Sequence, residues 1–431
     1  MVDKNTYAAY MAILKEELVP AMGCTEPIAV AYASAVARDT LGMFPDSIEL
    51  CCSANMVKNV KSVTVPNTGG LKGIEASAIA GLVGGDAGKK LEVLQCLETQ
   101  HIDKVKKLLG EKICSTSLAE GIEGLYIDVK VNAKESWARV VVEGTHTGIT
   151  KIEKNGVIIS DWQIKNTSEG LGISADRREY NLLNIRDICD FAENLKLDDV
   201  ADTLRKQIDM NSAIAKEGLS GNYGVSVGKT LLKYSGQDIR TRAKAKAAAA
   251  SDARMGGCAL PVVINSGSGN QGITVSLPVI EYAQSLGFSE ERLLRALALG
   301  NLVSLQQKEH IGKLSAYCGA VSAAVGSAAA ITWLKGGTIR QIEATITNAI
   351  ATAGGILCDG AKASCAAKIA TALEAAILAH EIGMLEDKSF CAGDGLVGTD
   401  VEATIRNIGH IGSKGMRDTD VEIITLMLQN Q

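Results

Sequence analysis

The sequence has few aromatic residues and no strong excess of basic ones. Aromatic residues make up 4% of the 431 residues, whereas Ala and Gly are abundant, so we expect helices that pack closely around a compact centre. The formal net charge of −5 offers no basic footprint for nucleic acid. A balance of 46% hydrophobic and 22% charged residues is ordinary for a globular chain and argues against extensive disorder.

Neither a secretory signal nor a membrane span is expected from the residue pattern. Residues 1–18 carry charges throughout and predict an amphipathic helix without an apolar signal core. Residues 314–334 are uncharged, but they are mostly Ala, Gly and Ser, which favours a helix buried in the protein over one in lipid. The eleven cysteines are odd in number and irregularly spaced, which indicates a reducing cytoplasm and not a disulfide framework.

The residue pattern changes twice along the chain. Residues 1–45 read as helices, with a break at GCTEP (23–27), and we expect them to pack on the C-terminal domain. Residues 46–167 mix β-branched runs with helical segments, and residues 168–431 carry apolar residues at helical spacing. The sequence therefore predicts an α+β fold, with a mostly α-helical domain and a smaller mixed α/β domain inserted after the N-terminal helices.

Three cysteines have an unusual context. Cys358 and Cys365 flank the turn-forming pair Asp359-Gly360, and Cys318 lies in a segment rich in Gly and Ala. The Cys-x-x-Cys spacing of structural zinc sites is absent around them. Three widely spaced thiolates fit an iron–sulfur cluster with one iron free of protein thiols, but on spacing alone buried core thiols are the more common outcome. The remaining cysteines other than Cys24 read as core residues or show no positive signal.

Two glycine-rich segments are candidate binding loops. NSGSGNQG (265–272) has no Lys or Arg, and the phosphate-binding pattern GxxxxGK[ST] is missing. The segment suits a backbone nest for a small anion such as an amino-acid carboxylate, with a plain connecting loop as the alternative. Its candidate binding residues, together with those of the similar NTGG segment (67–70), are Ser266, Ser268, Asn270, Gln271, Asn67 and Thr68.

Taken together, GCTEP (23–27), AYCGAV (316–321) and CDGAKASC (358–365) resemble segments of the L-cysteine desulfidases, relatives of the α part of bacterial iron–sulfur L-serine dehydratases. NTGGLKG, NSGSGNQG and KEHIGKLSAYCG (308–319) are similar to that family as well. The resemblance implies a lyase that uses a [4Fe–4S] cluster, without pyridoxal phosphate, to convert L-cysteine to hydrogen sulfide, ammonia and pyruvate. By position, it implies that Cys318, Cys358 and Cys365 hold the cluster in the helical domain, and that Cys24 is catalytic.

The residues around Cys24 allow this chemistry. A thiol at a helix N-terminus ionises more readily, so Cys24 before Pro27 is a candidate base for the Cα proton. We expect Glu26 to face away from the sulfur or to bind the substrate ammonium; an inert buried thiol is the alternative for Cys24. His310, eight residues before Cys318, is a candidate for proton exchange, with a surface histidine as its alternative.

Other functions stay open at this stage. L-Serine dehydratase would use the same scaffold, with water leaving in place of sulfide. A non-catalytic iron–sulfur protein for redox sensing or sulfur transfer would not need Cys24, and a helical protein whose thiols bind nothing is the remaining alternative. We expect a small amino acid as the partner, no nucleic acid, no membrane, and a homo-oligomer built through the Ala/Gly helices.

Overall fold

A computed structural model describes residues 2–122, 124–160, 177–385 and 388–429. The α-helices are α1 (Lys4–Glu17), α2 (Thr25–Leu41), α3 (Ala54–Val60), α4 (Ile74–Gly84), α5 (Thr99–Gly110), α6 (Arg177–Tyr180), α7 (Ile185–Asn194), α8 (Ala201–Ser220), α9 (Val227–Tyr234), α10 (Ile239–Met255), α11 (Gly269–Leu286), α12 (Glu290–Ile311), α13 (Gly319–Leu334), α14 (Ile339–Ala353), α15 (Ser364–Met384), α16 (Val401–His410) and α17 (Arg417–Gln429). The strands are β1 (Pro20–Met22), β2 (Ser47–Cys52), β3 (Cys114–Leu118), β4 (Tyr126–Ala133), β5 (Ser136–Glu143), β6 (Ile149–Lys154), β7 (Val157–Ser160) and β8 (Pro261–Val263). Shorter helical turns are Ala87–Glu92, Leu197–Asp199 and the π-turn Ile411–Gly415.

One six-stranded sheet occupies the first part of the chain. Its strand order is β3-β2-β4-β5-β6-β7; β2 and β3 run parallel, and the other neighbours run antiparallel. Val129 of β4 pairs with Leu50 on one side and Val140 on the other, and all three side chains are buried. Helices α2 and α4 pack against each other, and α2 also lies against β4 and β5. The α+β prediction is confirmed.

The helical part packs around α13. This helix contacts α11, α12, α14 and α15, and all of its residues from Ala320 to Leu334 are buried. Small residues allow α13 to approach α12 closely. Gly326 leaves no room for a side chain, since an added Cβ would lie 2.4 Å from the carbonyl oxygen of Gly300. Among the described helices, none combines the length and the apolar character that crossing a bilayer requires.

Several local predictions need correction. The β-branched runs at 47–57 and 60–66 favour strands in the sequence, but β2 ends at Cys52 and helix α3 follows it. Residues 60–66 turn back on residues 71–72, with the N–H of Val65 donating to the carbonyl of Leu71 at 2.8 Å. The spacing over 89–111 favours one helix, but only a short helical turn (Ala87–Glu92) precedes α5, which begins at Thr99. β-Propensity depends on such context and does not by itself decide which runs pair. The predicted boundary at 167/168 lies outside the described residues, and the division of the chain into domains stays a prediction.

Candidate active site

A short two-stranded ladder brings the GCTEP segment to the glycine-rich loop. Strand β1 pairs antiparallel with β8, so that Met22 lies opposite Pro261. Immediately after β1, Cys24 takes an extended conformation as the N-cap of α2, as the sequence predicted for a residue just before a helix. After β8, the chain turns through the loop, and Ser268 is the N-cap of α11. Two helix N-termini therefore lie side by side.

Backbone hydrogen bonds place two of the three cysteines next to each other. The N–H of Cys318 donates to the carbonyl of Ile356 at 3.1 Å, and the N–H of Cys358 donates to the carbonyl of Ala316 at 2.7 Å. Cys318 is also the N-cap of α13, and its thiol is hydrogen-bonded to that of Cys358. Cys365 lies in the first turn of α15. The turn between Cys358 and Cys365 requires a glycine at position 360. The φ of Gly360 is +95°, and a Cβ added there would lie 2.6 Å from the carbonyl oxygen of Lys58.

All four candidate thiols line one cavity of about 100 Å³. Cys24 packs there against Val63 and Met255, with Cys365 at the edge of the same cluster. Helices α2, α11, α13 and α15 all begin at this cavity, and none of the four has a side-chain cap. Because free N–H groups and the positive ends of helix dipoles attract anions, the cavity favours bound negative charge.

The Cys24 sulfur faces a carboxylate, contrary to the expectation that Glu26 points away. The thiol donates to Glu26 Oε2 at 2.9 Å. Burial, reinforced by Glu26, raises the pKa of the Cys24 thiol well above its usual value, and the positive charge of Arg254 offsets this only in part. The expected lowering of this pKa by the helix N-terminus is therefore wrong, because loss of water outweighs the dipole at a fully buried sulfur.

Glu26 is held as a carboxylate by several neighbours. Thr25 Oγ1 donates to Oε2 at 3.1 Å, Asn59 Nδ2 donates to Oε1 at 3.2 Å, and His146 Nε2 lies 4.0 Å from Oε1. Burial raises the pKa of Glu26, but a protonated His146 and the hydrogen bond from Cys24 outweigh it, so the pKa lies below its usual value. Burial also lowers the pKa of His146, so the hydrogen bond from Cys24 is the influence that persists when the imidazole is neutral. Glu26 is therefore ionised and accepts the hydrogen bond of Cys24, while the proton stays on the sulfur, whose pKa is raised.

Basic side chains surround the thiols. Lys58 and Lys308 line the cavity and are buried. Burial lowers the pKa of Lys308 to about 8 against the opposing influence of Cys358 and Cys318. The hydrogen bond from Cys318 lowers the pKa of Cys358 to about 6, with Lys58 adding to the effect. Cys358 is therefore the thiol of this pair that ionises first.

Some polar atoms at the cavity have no partner within the described part of the chain. They are Arg254 Nε, Gln271 Oε1 and the Tyr317 hydroxyl, all buried. Buried polar groups are normally hydrogen-bonded, because an unpaired one costs about 1–3 kcal/mol. This set, with a cationic donor, an acceptor and a hydroxyl, matches a small zwitterionic ligand.

The donor set fits a cluster better than a single metal ion. In the described ranges, no three His, Cys, Asp or Glu side chains are arranged to hold one ion. Cys318, Cys358 and Cys365 nevertheless face one cavity, amid buried cations and helix N-termini that suit an anionic group. Three thiols at one cavity that favours negative charge are what a cluster held by three thiolates requires.

The other predicted site residues divide into two groups. Ser268, Asn270 and Gln271 line the thiol cavity, whereas Ser266 lines a neighbouring cleft of about 1640 Å³ that shares Lys308 with the cavity. The remaining three residues lie elsewhere. Asn67 Nδ2 donates to the Leu94 carbonyl at 3.0 Å, and Thr68 Oγ1 donates to the Val65 carbonyl at 2.7 Å, so both hold loops together. His310 is exposed at the end of α12 and does not line the cavity.

Several residues at this site were not predicted from the sequence: Lys58, Asn59, His146, Arg254 and Lys308. His146 shows no ligand spacing in the sequence, and only the fold brings it to Glu26. Lys308 alone had a signal, because it opens one of the segments similar to the desulfidases. The others are separated from the cysteines by long stretches of chain and carry no local motif.

The fold and the cavity together define an α+β protein with a buried, thiol-lined anion site at converging helix N-termini. Comparison with known proteins identifies the group: a family model described as serine dehydratase alpha chain matches residues 88–425. The chain belongs to the serine dehydratase alpha-chain family. The matched part contains Cys318, Cys358 and Cys365, whereas Cys24 and Glu26 precede it.

Full-length relatives extend the likeness to the N-terminal segment. A UPF0597 protein of Lachnoclostridium phytofermentans is 50% identical over 422 residues, covering 98% of this chain and all of the relative. UPF0597 protein DSY1109 of Desulfitobacterium hafniense is 49% identical, covering 98% of this chain and 97% of the relative. A UPF0597 protein of Treponema denticola is 45% identical over the whole of both chains.

Proposed function

We propose that this protein is an iron–sulfur-dependent lyase that cleaves L-cysteine to hydrogen sulfide, ammonia and pyruvate by β-elimination. The observation that carries the proposal is the meeting of Cys318, Cys358 and Cys365 with Cys24 at one buried cavity. These four thiols come from four different helix N-termini or turns. A packing role alone does not require them to converge on one anion-attracting cavity.

Cys318, Cys358 and Cys365 would hold the cluster. The three belong to the part of the chain that matches the serine dehydratase alpha chain. A [4Fe–4S] cluster with one iron free of protein thiols supplies, when bound, Lewis-acid help for the departing sulfide. The buried cation of Lys308 would offset part of the negative charge of the thiolates.

Cys24 and Glu26 would remove the Cα proton together. Glu26 Oε2 accepts the hydrogen bond of the thiol at 2.9 Å, so the Cys24 sulfur would take the Cα proton while it passes its own proton to the Glu26 carboxylate, without a free thiolate. As the Cα–H bond breaks, its electron pair forms the Cα–Cβ double bond and the Cβ–S bond breaks. Spontaneous hydrolysis of the resulting 2-aminoacrylate, through its imine, gives pyruvate and ammonia. Burial of both side chains keeps water from competing for the base.

The cavity wall supports a thiol substrate. Ser268, Asn270 and Gln271 would bind the amino-acid backbone. Leu314 and Ile369 give the cavity an apolar part of its wall, which is better suited to a thiol than to a strongly hydrated hydroxyl. We place the activity in the cytoplasm, which the eleven free cysteines favour.

L-Serine dehydratase is the second candidate, because the matching family model is described as serine dehydratase alpha chain. The same residues would act on serine, with water leaving in place of sulfide. A non-catalytic iron–sulfur protein would retain the cluster but show no turnover of either amino acid.

Cluster content and turnover test the proposal on protein purified without oxygen. We expect a brown protein that bleaches in air, contains iron and acid-labile sulfide, and releases sulfide and pyruvate from L-cysteine. Faster pyruvate release from L-serine would assign the second function. Iron-free, colourless protein after anaerobic reconstitution would defeat the cluster, and a loaded protein inactive on both amino acids would defeat the lyase.

A further inference from the structure

Arg254 is a buried arginine without a partner in the described part of the chain. It lies in the last turn of helix α10, its exposed fraction is 2%, and it is among the largest fully buried side chains. Its guanidinium makes no hydrogen bond or ion pair there, and its Nε is fully enclosed. An arginine cannot shed its charge in a protein, so a buried guanidinium left unpaired is costly.

The other buried basic side chains at the cavity do have acceptors. Lys58 forms an ion pair with Asp420, and Lys308 donates to the carbonyl of Lys313 at 3.4 Å. Glu26 lies near enough to influence Arg254 electrostatically but too far for a salt bridge, and it is engaged by Cys24 and Asn59. The charge of Arg254 is therefore not explained by the chain itself.

The surroundings of Arg254 are shaped to admit an anion. The guanidinium lies against Gly269, the first residue of α11, where an added Cβ would be 2.3 Å from Nε. The uncapped N-terminus of α11 presents backbone N–H groups at the same place. Gln271, two residues after Gly269, also lines the cavity, and its buried Oε1 has no partner among the described residues, so it is an acceptor available to a cation.

We infer that Arg254 and the N-terminus of α11 form the subsite for the substrate α-carboxylate, with Gln271 Oε1 accepting from the α-ammonium. This inference rests on the proposed function and defines its substrate class: small α-amino acids with a free carboxylate. Amides, esters and decarboxylated amines of the same amino acid are excluded, because they leave the guanidinium buried without a counter-charge.

Binding of non-reactive ligands tests the subsite separately from catalysis. L-Alanine carries the carboxylate and ammonium without a leaving group, and L-alaninamide lacks the negative charge. In calorimetry on oxygen-free protein, we expect L-alanine to bind about 100-fold more tightly than L-alaninamide. Arg254→Gln should abolish this preference, raising the Kd of L-alanine about 100-fold and that of L-alaninamide by less than about threefold. Arg254→Lys should restore part of the preference for L-alanine over L-alaninamide.

Arg240→Gln provides the matched control, because Arg240 lies on the same helix but outside the cavity, paired with Glu381 at 3.2 Å. It should bind both ligands like the wild type. For L-cysteine, Arg254→Gln should raise KM more than it lowers kcat.

Two results would overturn the subsite: unchanged preference for L-alanine in Arg254→Gln, or loss of iron from that variant, which would assign the guanidinium to the cluster. Arg254-dependent binding of L-alanine with no turnover of L-cysteine or L-serine would sustain the subsite and remove the proposed function.

Discussion

At the scale of single residues, burial decides the chemistry of Cys24. A helix N-terminus stabilises a negative charge by about 0.3–1 kcal/mol at an exposed position. Removing an ion from water costs several kcal/mol, so the thiol of a fully buried cysteine stays protonated. Glu26, in contact with the sulfur at 2.9 Å, can take the thiol proton only as the sulfur receives another one. The pair, and not the cysteine alone, is therefore the proposed base.

Substitutions of this pair should separate proton transfer from cluster binding. We expect Cys24→Ala and Glu26→Gln to lower kcat for L-cysteine by about 10²–10⁴-fold, because each removes one partner of the base. Iron and sulfide content should stay at the wild-type level. Cys96→Ala, at an exposed thiol outside the cavity, is the control and should retain full activity.

Two outcomes would contradict the assignment. Full turnover by Cys24→Ala would exclude Cys24 from the mechanism. Loss of iron from the same variant would make it a cluster ligand.

At the scale of secondary-structure elements, the site depends on where helices begin. Four helix N-termini meet at the cavity, and the strand pair β1–β8 sets the position of two of them. A second junction lies nearby on α10, where Asp252 accepts a hydrogen bond from the N–H of Gly228 in α9 at 3.1 Å. The other carboxylate oxygen, Oδ1, is buried without a partner in the described residues.

The stability of the α9–α10 junction should depend on pH. Burial raises the pKa of Asp252 to about 6. Because the folded protein then binds this proton more tightly than the unfolded chain does, the contribution of Asp252 to the free energy of unfolding falls as the pH rises from about 4 to 6 and stays low above that.

Asp252→Asn should remove the loss of stability that ionisation of Asp252 causes. We expect it to raise the free energy of unfolding by about 1 kcal/mol at pH 7.5 and to have no stabilising effect at pH 4, as measured by urea denaturation. Asp209→Asn on the exposed side of α8 should show no such difference between the two pH values. An equal effect of Asp252→Asn at both pH values would contradict the role of its ionisation.

At the scale of the whole molecule, the cavity joins distant parts of the chain. Lys58 of α3 forms an ion pair with Asp420 of α17, 362 residues away, and both side chains are largely buried. The lysine also lines the cavity and helps to lower the pKa of Cys358. The C-terminal helix therefore supports the wall of the site without contributing a thiol to it.

Breaking this ion pair from one side should destabilise the protein. Asp420→Ala leaves the charge of Lys58 buried without its partner and should lower the free energy of unfolding by about 3 kcal/mol. Replacing both residues, with Lys58→Met and Asp420→Leu together, should recover most of that loss, since no charge remains buried. The midpoints of urea unfolding measure both effects. A double variant no more stable than Asp420→Ala would show that the ion pair itself is not what matters.

The elements with strong local patterns, and the set of thiols, could be read from consecutive residues alone. Residues 314–334 predicted a buried helix, and α13 occupies most of that segment. The spacing of Cys318, Cys358 and Cys365, with GCTEP, pointed to the family. These features are local, because side-chain periodicity and short motifs depend only on residues that are close together in the sequence.

Which side chains share the cavity depends on how the helices pack. This packing turned Glu26 toward Cys24, brought Arg254 and Lys308 to the thiols, and placed His310, Asn67 and Thr68 elsewhere. These neighbours come from helices far apart in the chain, and their charges interact only across the packed interior. No local pattern encodes the burial and pairing that fix the pKa of a thiol or leave a guanidinium without a counter-charge, because both depend on the whole set of surrounding atoms.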